Sequence, residues 1–552
     1  MSDMTRNSRS RNGVRAQLLG AGLAAVVVLA ACSSSGKSSS GSTTTTAPAA
    51  SAHVLLVGTF AGKAGQYKTI QAAVNAAHPG DWILVAPGDY HERGDESGPQ
   101  RYISTGGFGG VLITKPNVHL RGMDRNKVIV DGTKVSASAC SAKSSDQDFG
   151  TAAAGGKRNG RNGILVWKAD GVSIDNLTVC NFLGGSAPSG NEIWWNGGDG
   201  SAKIGLTGYE GSYLTATSTA FVNEDTAAQY GIFASNAAGP ARWTTTYASN
   251  FNDSGMYVGA CLQACNITID KAWMEYSALG YSGTNSGGAV VVKNSEFDNN
   301  QDGFDTNTQI AGDPPAPQNG ACPGNATSPI THTHSCWVFI HNNVHDNNNP
   351  NVPNAGTASE GPTGTGMTVA GGRNDTVMDN TFSNNGAWGV LFVPFPDSGT
   401  PSLDQTCAKS GGHPLQGFGC ILDPEGNALI GNTFSHNGFF GNPSNADYGQ
   451  IVINAHLPQN CYSNNTAPKG SAPPNLEKVQ SRCGPLMTAA NTGGPLLAQV
   501  LCDTGNGTCP AGAKYPQATG VVMHPLPKTL VSMPNPCAGV PANAWCPNGR
   551  PG

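Results

Sequence analysis

Charge is what this chain has least of: 12% of its 552 residues are Asp, Glu, Lys or Arg, against about 25% in an ordinary globular protein. A surface so poor in charge is covered by Ser, Thr, Asn and backbone, and little helix is expected. Long apolar runs are also missing beyond residue 31, which argues against a bundle of spanning helices. Aromatics make up 7%. The cysteines show no paired C-x-x-C spacing of the kind that builds a structural zinc site. Basic residues do not dominate either, since the formal charge is −5. Nucleic acid is therefore excluded as the main partner.

What is plentiful is glycine, 74 residues, and asparagine at recurring positions. A length of 552 residues exceeds the usual single core unless the fold grows along one axis by repetition.

Arg6, Arg9, Arg11 and Arg15 precede an apolar run from Leu18 to Ala31, the layout of an export signal. Leu29-Ala30-Ala31-Cys32 resembles the lipobox of bacterial lipoproteins. That resemblance implies lipidation at Cys32 and a membrane anchor on the outer face of the cell, the alternative being a plain secretory signal. Residues 32–52 read as a flexible Ser/Thr tether. Removing residues 1–31 leaves 27 basic against 35 acidic residues, a formal charge of −8. Fourteen cysteines remain after Cys32, an even number that predicts a disulfide framework. The expected pairs are Cys140–Cys180, Cys261–Cys265, Cys322–Cys336, Cys407–Cys420, Cys461–Cys483, Cys502–Cys509 and Cys537–Cys546.

Ile70, Ala73, Val74 and Ala77 form a helical stripe ended by Pro79-Gly80. Apolar strand runs follow at 82–90 and 126–132. Residues 67–92, YKTIQAAVNAAHPGDWILVAPGDYHE, resemble the N-terminal cap and first turn of right-handed parallel β-helix proteins of the pectin-lyase-like superfamily. The resemblance implies an all-β solenoid over 53–465 with the helix plugging its open end. The body supports this independently. Phe251, Trp273 and Phe297 recur once per coil, and Val344, Phe382 and Phe434 lie in later copies. Insertions at 307–335, 350–363 and 396–426 must loop out. Asn294, Asn342, Asn380 and Asn432 are expected to stack in one column, and Asn300, Asn347, Asn385 and Asn437 in a second, each amide donating to one coil and accepting from the other. Residues 466–552, rich in Pro, Gly and Cys, read as an irregular disulfide-pinned tail packed on the helix or covering its end. A single copy of the chain is expected.

The ladder leaves Asp302 and Asp305 unexplained. Asn300-Gln301-Asp302-Gly303-Phe304-Asp305 resembles the N-T-D-G-[IF]-D signature of polygalacturonase-type glycoside hydrolases, departing at Gln301. It is also similar to the YGFDPHE motif of alginate epimerases, with Asp302 and Asn307 replacing Tyr and His. The resemblance implies an acid and a base for glycoside hydrolysis or elimination. Lys293, His345 and Asp346 are the catalytic neighbours proposed alongside them. The scaffold alternative makes Asp302-Gly303 a turn and Asp305 a corner acceptor. Asp298, Asp302 and Asp305 together form a candidate calcium site, calcium being the one cofactor the chain suggests. A His cluster at His332, His334, His341 and His345 is a second metal candidate. Glu192, Trp194, Trp195, Asn196, Tyr209 and Tyr213 lie in a weakly periodic stretch that reads as sugar-stacking aromatics or a loop tucked against the wall. Two functions stay open: a surface-anchored hydrolase or lyase of polysaccharide, and a noncatalytic glycan-binding or adhesion protein.

Overall fold

The computed structural model describes residues 53–93, 108–198, 203–261, 265–283, 286, 288–307, 337–397, 413–415, 419–451, 459–482 and 494–549. The chain is a right-handed parallel β-helix. Most coils contain three short strands and two sharp corners. In one coil these are Val290–Lys293, Glu296–Asp298 and Asp302–Asn307, and in the coil before it Ile267–Asp270, Trp273–Glu275 and Leu279–Ser282. The first two strands of each coil join a first sheet of 20 strands, and the third joins a second sheet of 11. Neighbouring coils pair in parallel register, as in Ile267↔Val290↔Trp337.

Both corners are built the same way. A left-handed residue turns the chain, and the next residue, Ala272 after Lys271 excepted, points an amide or hydroxyl along the stack. At the first corner the turning residues are Lys271, Asn294, His341, Asp379, Gly431 and Asn464. At the second they are Tyr276, Asn299, Asp346, Asn384 and His436. Behind the second corner, Asn300, Asn347, Asn385 and Asn437 form the expected ladder, each Nδ2 donating to the Oδ1 of the next at 3.0, 3.2 and 3.1 Å. Sequence gaps of 47, 38 and 52 residues are crossed without a break, so the insertions do loop out.

The first ladder holds Asn342, Asn380 and Asn432 as expected and differs at its first member. It runs Asn342, Asn380, Asn432, Asn465, and Ser295 rather than Asn294 fills the slot before Asn342. Asn294 is the turning residue, with φ +52°, and its amide reaches Asp270 instead.

The inward file also differs from the expected Phe251, Trp273, Phe297. Registered partners are Ala248, Met274, Phe297, Val344, Phe382 and Phe434. Trp273 sits one residue earlier on its strand and so faces outward. Phe251 is buried in the core but lies beyond the second corner.

Asp302-Gly303 is not a turn: both residues lie in a strand. Gly303 belongs to a stacked file with Gly280 and Gly366, where an added Cβ would stand 2.4 Å from the Gly366 carbonyl oxygen and 2.7 Å from Asn347 Nδ2. The file exists because backbone and ladder amide leave no room there.

The capping helix Ile70–Ala76 starts at Thr69, whose Oγ1 accepts from Ala72 N. Ile70, Ala73, Val74 and Ala77 are all buried against the open end of the stack. The strands extend to Ser471–Ala472, slightly past the boundary expected at 465.

The tail does both things expected of it. Helix Gly494–Asp503 buries Leu496 and Val500 against the second sheet at its C-terminal end. The chain then runs back along the stack without regular structure. Val522 N donates to Asn351 O, and Asn250 and Asn126 each bracket one tail residue, His524 and Leu530, through both backbone groups. Trp545 ends beside Phe60 at the far end, donating to Lys63 O. Four expected disulfides are present: Cys140–Cys180, Cys261–Cys265, Cys502–Cys509 and Cys537–Cys546. Cys420 and Cys461 are also disulfide-bonded, while Cys322, Cys336, Cys407 and Cys483 lie outside the described residues, as do the export signal, Cys32 and the tether. No helix among the described residues is long and apolar enough to cross a membrane.

Candidate functional site

The third strand of each coil decides what faces outward on the second sheet. Phe304 points into the core with its register partners Tyr281, Met367 and Val390. Asp302 and Asp305 flank that core position on the opposite face. Asp302 is registered with Leu279 and Thr365, Asp305 with Ser282 and Thr368.

Asp302 is fully buried. Its Oδ2 accepts from Thr368 Oγ1 at 2.5 Å, and its Oδ1 has no hydrogen-bond partner. Burial first, and Asp305 beside it second, hold this carboxyl well above the usual range. Both effects favour its neutral form over its carboxylate. Asp305 is partly exposed. The tail adds a third carboxyl that the sequence did not suggest. Asp503, the last residue of the helix Gly494–Asp503, takes a hydrogen bond from Thr363 N–H, and burial raises it well above the usual range. Its Oδ2 is also without a partner. No periodicity links residue 503 to residue 302, so only the fold brings them together.

The Asp305 file continues back along the helix as Ser282, Tyr257, Phe233 and Trp194. Trp194 and Phe233 stack at 4.9 Å, and Phe233 meets Tyr257 edge-on at 4.8 Å. The stretch around Trp194 is thus not a loop: Asn191–Asn196 is a strand of the second sheet. Trp195 turns inward onto Tyr209 and Trp243. Glu192 is buried and accepts from Phe182 N at 3.1 Å, with burial raising its carboxyl well above the ordinary range.

Lys293, His345 and Asp346 are not brought to Asp302 and Asp305. Lys293 ends the strand Val290–Lys293 and His345 the strand Asn343–His345, both in the first sheet. Asp346 is a corner residue at φ +55°. His345 stands between Glu296 and Asp346, at 2.9 and 2.8 Å. Glu296 foremost raises the imidazole to about 9. Beside it, Asp298 accepts from Trp273 Nε1 at 2.7 Å and is pushed up to about 6 by burial. Glu275, the next in register, accepts from Tyr247 OH at 2.6 Å, and burial raises it to about 7.

The expected calcium trio is therefore split, because Asp298 belongs to the first sheet and Asp302 and Asp305 to the second. The group that does converge is Glu296, Asp298 and His345, whose ligand atoms lie within 4.8 Å of one another. His341 is a corner residue, and His332 and His334 lie outside the described residues.

No family profile matches the chain, and no curated protein does. Among solved structures, the chain is similar to the A-module of the mannuronan C-5 epimerase AlgE6 of Azotobacter vinelandii, at 12% identity and TM-score 0.42, over 74% of this chain and 95% of that one. It is also similar to an endo-xylogalacturonan hydrolase from Aspergillus tubingensis, at 11% and 0.37, over 76% and 94%. A third similarity is to the pectate lyase Pel9A, at 13% and 0.34, over 85% and 89%. Similarity of this degree leaves the activity to be argued from the site.

Proposed function

We propose that the outer face of the second sheet binds polysaccharide and cleaves it at Asp305, with the protonated Asp302 behind it as the proton reservoir of the pair. The observation that carries this reading is Asp302 itself, a fully buried carboxyl with one oxygen unsatisfied. Burying such a group costs several kcal/mol unless something compensates, and neighbouring coils show that the position accepts Leu279, Thr365 or Trp388 instead. A scaffold that takes a leucine there has no structural need of an acid.

Cleavage of a glycosidic bond needs one group to protonate the leaving oxygen and one to activate water or take a ring proton. A buried carboxyl held toward its neutral form, beside a partly exposed one, offers both roles. The names of the similar structures, epimerase, hydrolase and lyase, agree with polysaccharide chemistry on this fold without choosing among them. The disulfides favour an oxidising compartment, and the lipobox resemblance at Cys32 supports a tethered location.

Complete burial of Asp302 favours a second reading, in which the same face holds glycan without turning it over. Asp302→Asn and Asp305→Asn variants assayed on a polysaccharide panel for reducing ends and for unsaturated products separate the two. Loss of turnover in Asp305→Asn supports the enzyme. Turnover unaffected by either change removes these residues, and no turnover by the parent protein on any polymer leaves the binding protein.

A further inference from the structure

Three coils before Asp302 the same face carries a cavity of about 280 Å³. Its walls come from residues 184–189, from the stretch between Glu224 and Tyr230, and from the corner at Asn252 and Asp253. The insertion after residue 350 closes it, with Ala355 N donating to Asn252 O and Asn354 N to Glu224 Oε2.

Two features mark this cavity as built for a ligand. Asn252 is 6% exposed, and its Nδ2 donates to Glu224 O while its Oδ1 has no donor. A buried amide oxygen left unsatisfied costs about 1–3 kcal/mol, which a ligand N–H or O–H would recover. Further, the lining holds three carboxyls, Glu224, Asp225 and Asp253, and no Lys or Arg. Asp253 Oδ2 already takes Tyr230 OH at 2.8 Å, fixing the phenol so that its ring packs on Phe233 at 4.5 Å and Tyr257 at 5.1 Å. Acceptors therefore face the cavity beside an aromatic wall. Basic groups, Lys157 and Arg158, appear only in the adjoining cavity, which shares Gly185 and Asp225 with this one.

We infer that this cavity is a subsite for an amino-sugar unit of the polymer, its ammonium set among Glu224, Asp225 and Asp253, its donors on Asn252 Oδ1, and its ring on the Tyr230 side. The inference rests on the reading that this face binds polysaccharide, and it narrows the substrate class. A uronate unit would bring its own carboxylate against three carboxyls with no cation in the lining, so it is rejected by charge. The Tyr230 file reaches Asp302 through the buried Ser254 and Leu279, three strand spacings or about 14 Å.

The test is calorimetric titration of the full-length protein with three oligosaccharides of equal length, made of glucosamine, N-acetylglucosamine and galacturonate, at neutral pH, above the raised Asp253 value of about 6. The glucosamine oligomer should bind roughly tenfold more tightly than the N-acetylated one, as expected for charge-assisted contacts, and the galacturonate oligomer should not bind. Asn252→Ala should weaken the first titration. Because Asn252 is buried and its removal strikes the fold of the corner, the exposed Asp225→Asn serves as the second variant and should weaken it too. Equal affinity for the N-acetylated oligomer, binding of galacturonate, or no effect of Asp225→Asn overturns the inference. Asp305→Asn keeps the two readings apart. If it abolishes turnover of some polymer while the parent protein ignores glucosamine oligomers, the subsite falls and the cleavage stands. If glucosamine oligomers bind and Asp225→Asn weakens them but no polymer is turned over, the cleavage falls and the subsite stands.

Discussion

Two acidic pairs lie on either side of one corner of the helix, Glu296 with Asp298 on the first sheet and Asp302 with Asp305 on the second. The first pair is compensated. His345 sits between Glu296 and Asp346, and Trp273 and Asn299 donate to Asp298. The second sheet offers Asp302 a single side-chain donor, Thr368, and sets Asp305 and Asp503 near it. Asp298 and Asp302 stand four positions apart, yet the first is answered by a cation and side-chain N–H groups, while the second has Thr368 and the Phe304 N–H against two further carboxyls. Acidic residues that a scaffold merely tolerates are neutralised by their neighbours. Those that are left in conflict are the ones to test for chemistry.

The sharpest way to break this comparison is to neutralise one acid on each face. Asp305→Asn should lower kcat/KM on the responsive polymer by about 10²–10⁴-fold, the usual worth of a positioned acid or base, whereas Asp298→Asn should leave it unchanged. Equal losses would mean that the two faces do not differ in role. Next in size is a change that strikes the scaffold beneath both. Asn347→Leu removes an amide whose Oδ1 serves Asn300 N and Nδ2, and whose Nδ2 serves Phe297 O and Asn385. The groups it strands are buried, so urea unfolding should show about 3–5 kcal/mol less stability. A loss below about 1 kcal/mol would say that the ladder is decoration.

That ladder was legible in the sequence because its physics is local and repeats: an amide after a left-handed corner serves the coils on both sides. The first column was placed one residue early at Asn294 because asparagine suits both the turn and the slot, and in that coil Ser295 takes the slot. Trp273 misled in the same way. Its size suggested core, but in a strand a one-residue slip exchanges inside for outside, and Met274 is the residue within. The scaffold alternative makes Asp302-Gly303 a turn because the cause of the glycine file, the backbone and amide of the next coil, is invisible along the chain. Asp302 and Asp305 were found as acids the ladder did not require. Asp503, and the closure of the cavity by the loop after residue 350, were not found. Each depends on contacts between segments that no repeat relates.

A smaller effect separates the faces by pH. Glu275 on the first sheet is raised by burial to about 7, so the folded state holds its proton over a range where the unfolded chain has lost it. Stability from this group is complete below the unfolded value near 4.5 and is lost as pH rises through about 7. Replacement by Gln should remove about 2 kcal/mol of that decline, measured as the difference in urea midpoints across the window. A decline of the same size in Glu275→Gln would assign it to the other carboxyls raised by burial, Asp298 and Asp302 among them.

The smallest effect belongs to His345. Its imidazole is raised from 6.5 to about 9 by Glu296 first and Asp346 after it, so the folded protein keeps the proton longer than the unfolded chain. The resulting stability is fully present below about pH 6.5 and disappears as pH climbs through 9. Both partner carboxylates are 45% exposed, and water screens much of the attraction, which limits the contribution to about 1 kcal/mol. His345→Gln should flatten stability between those two pH values and shrink its salt dependence, with turnover unaltered. If turnover falls with it, the charged cluster of the first sheet takes part in the chemistry after all, and the separation of the two faces is lost.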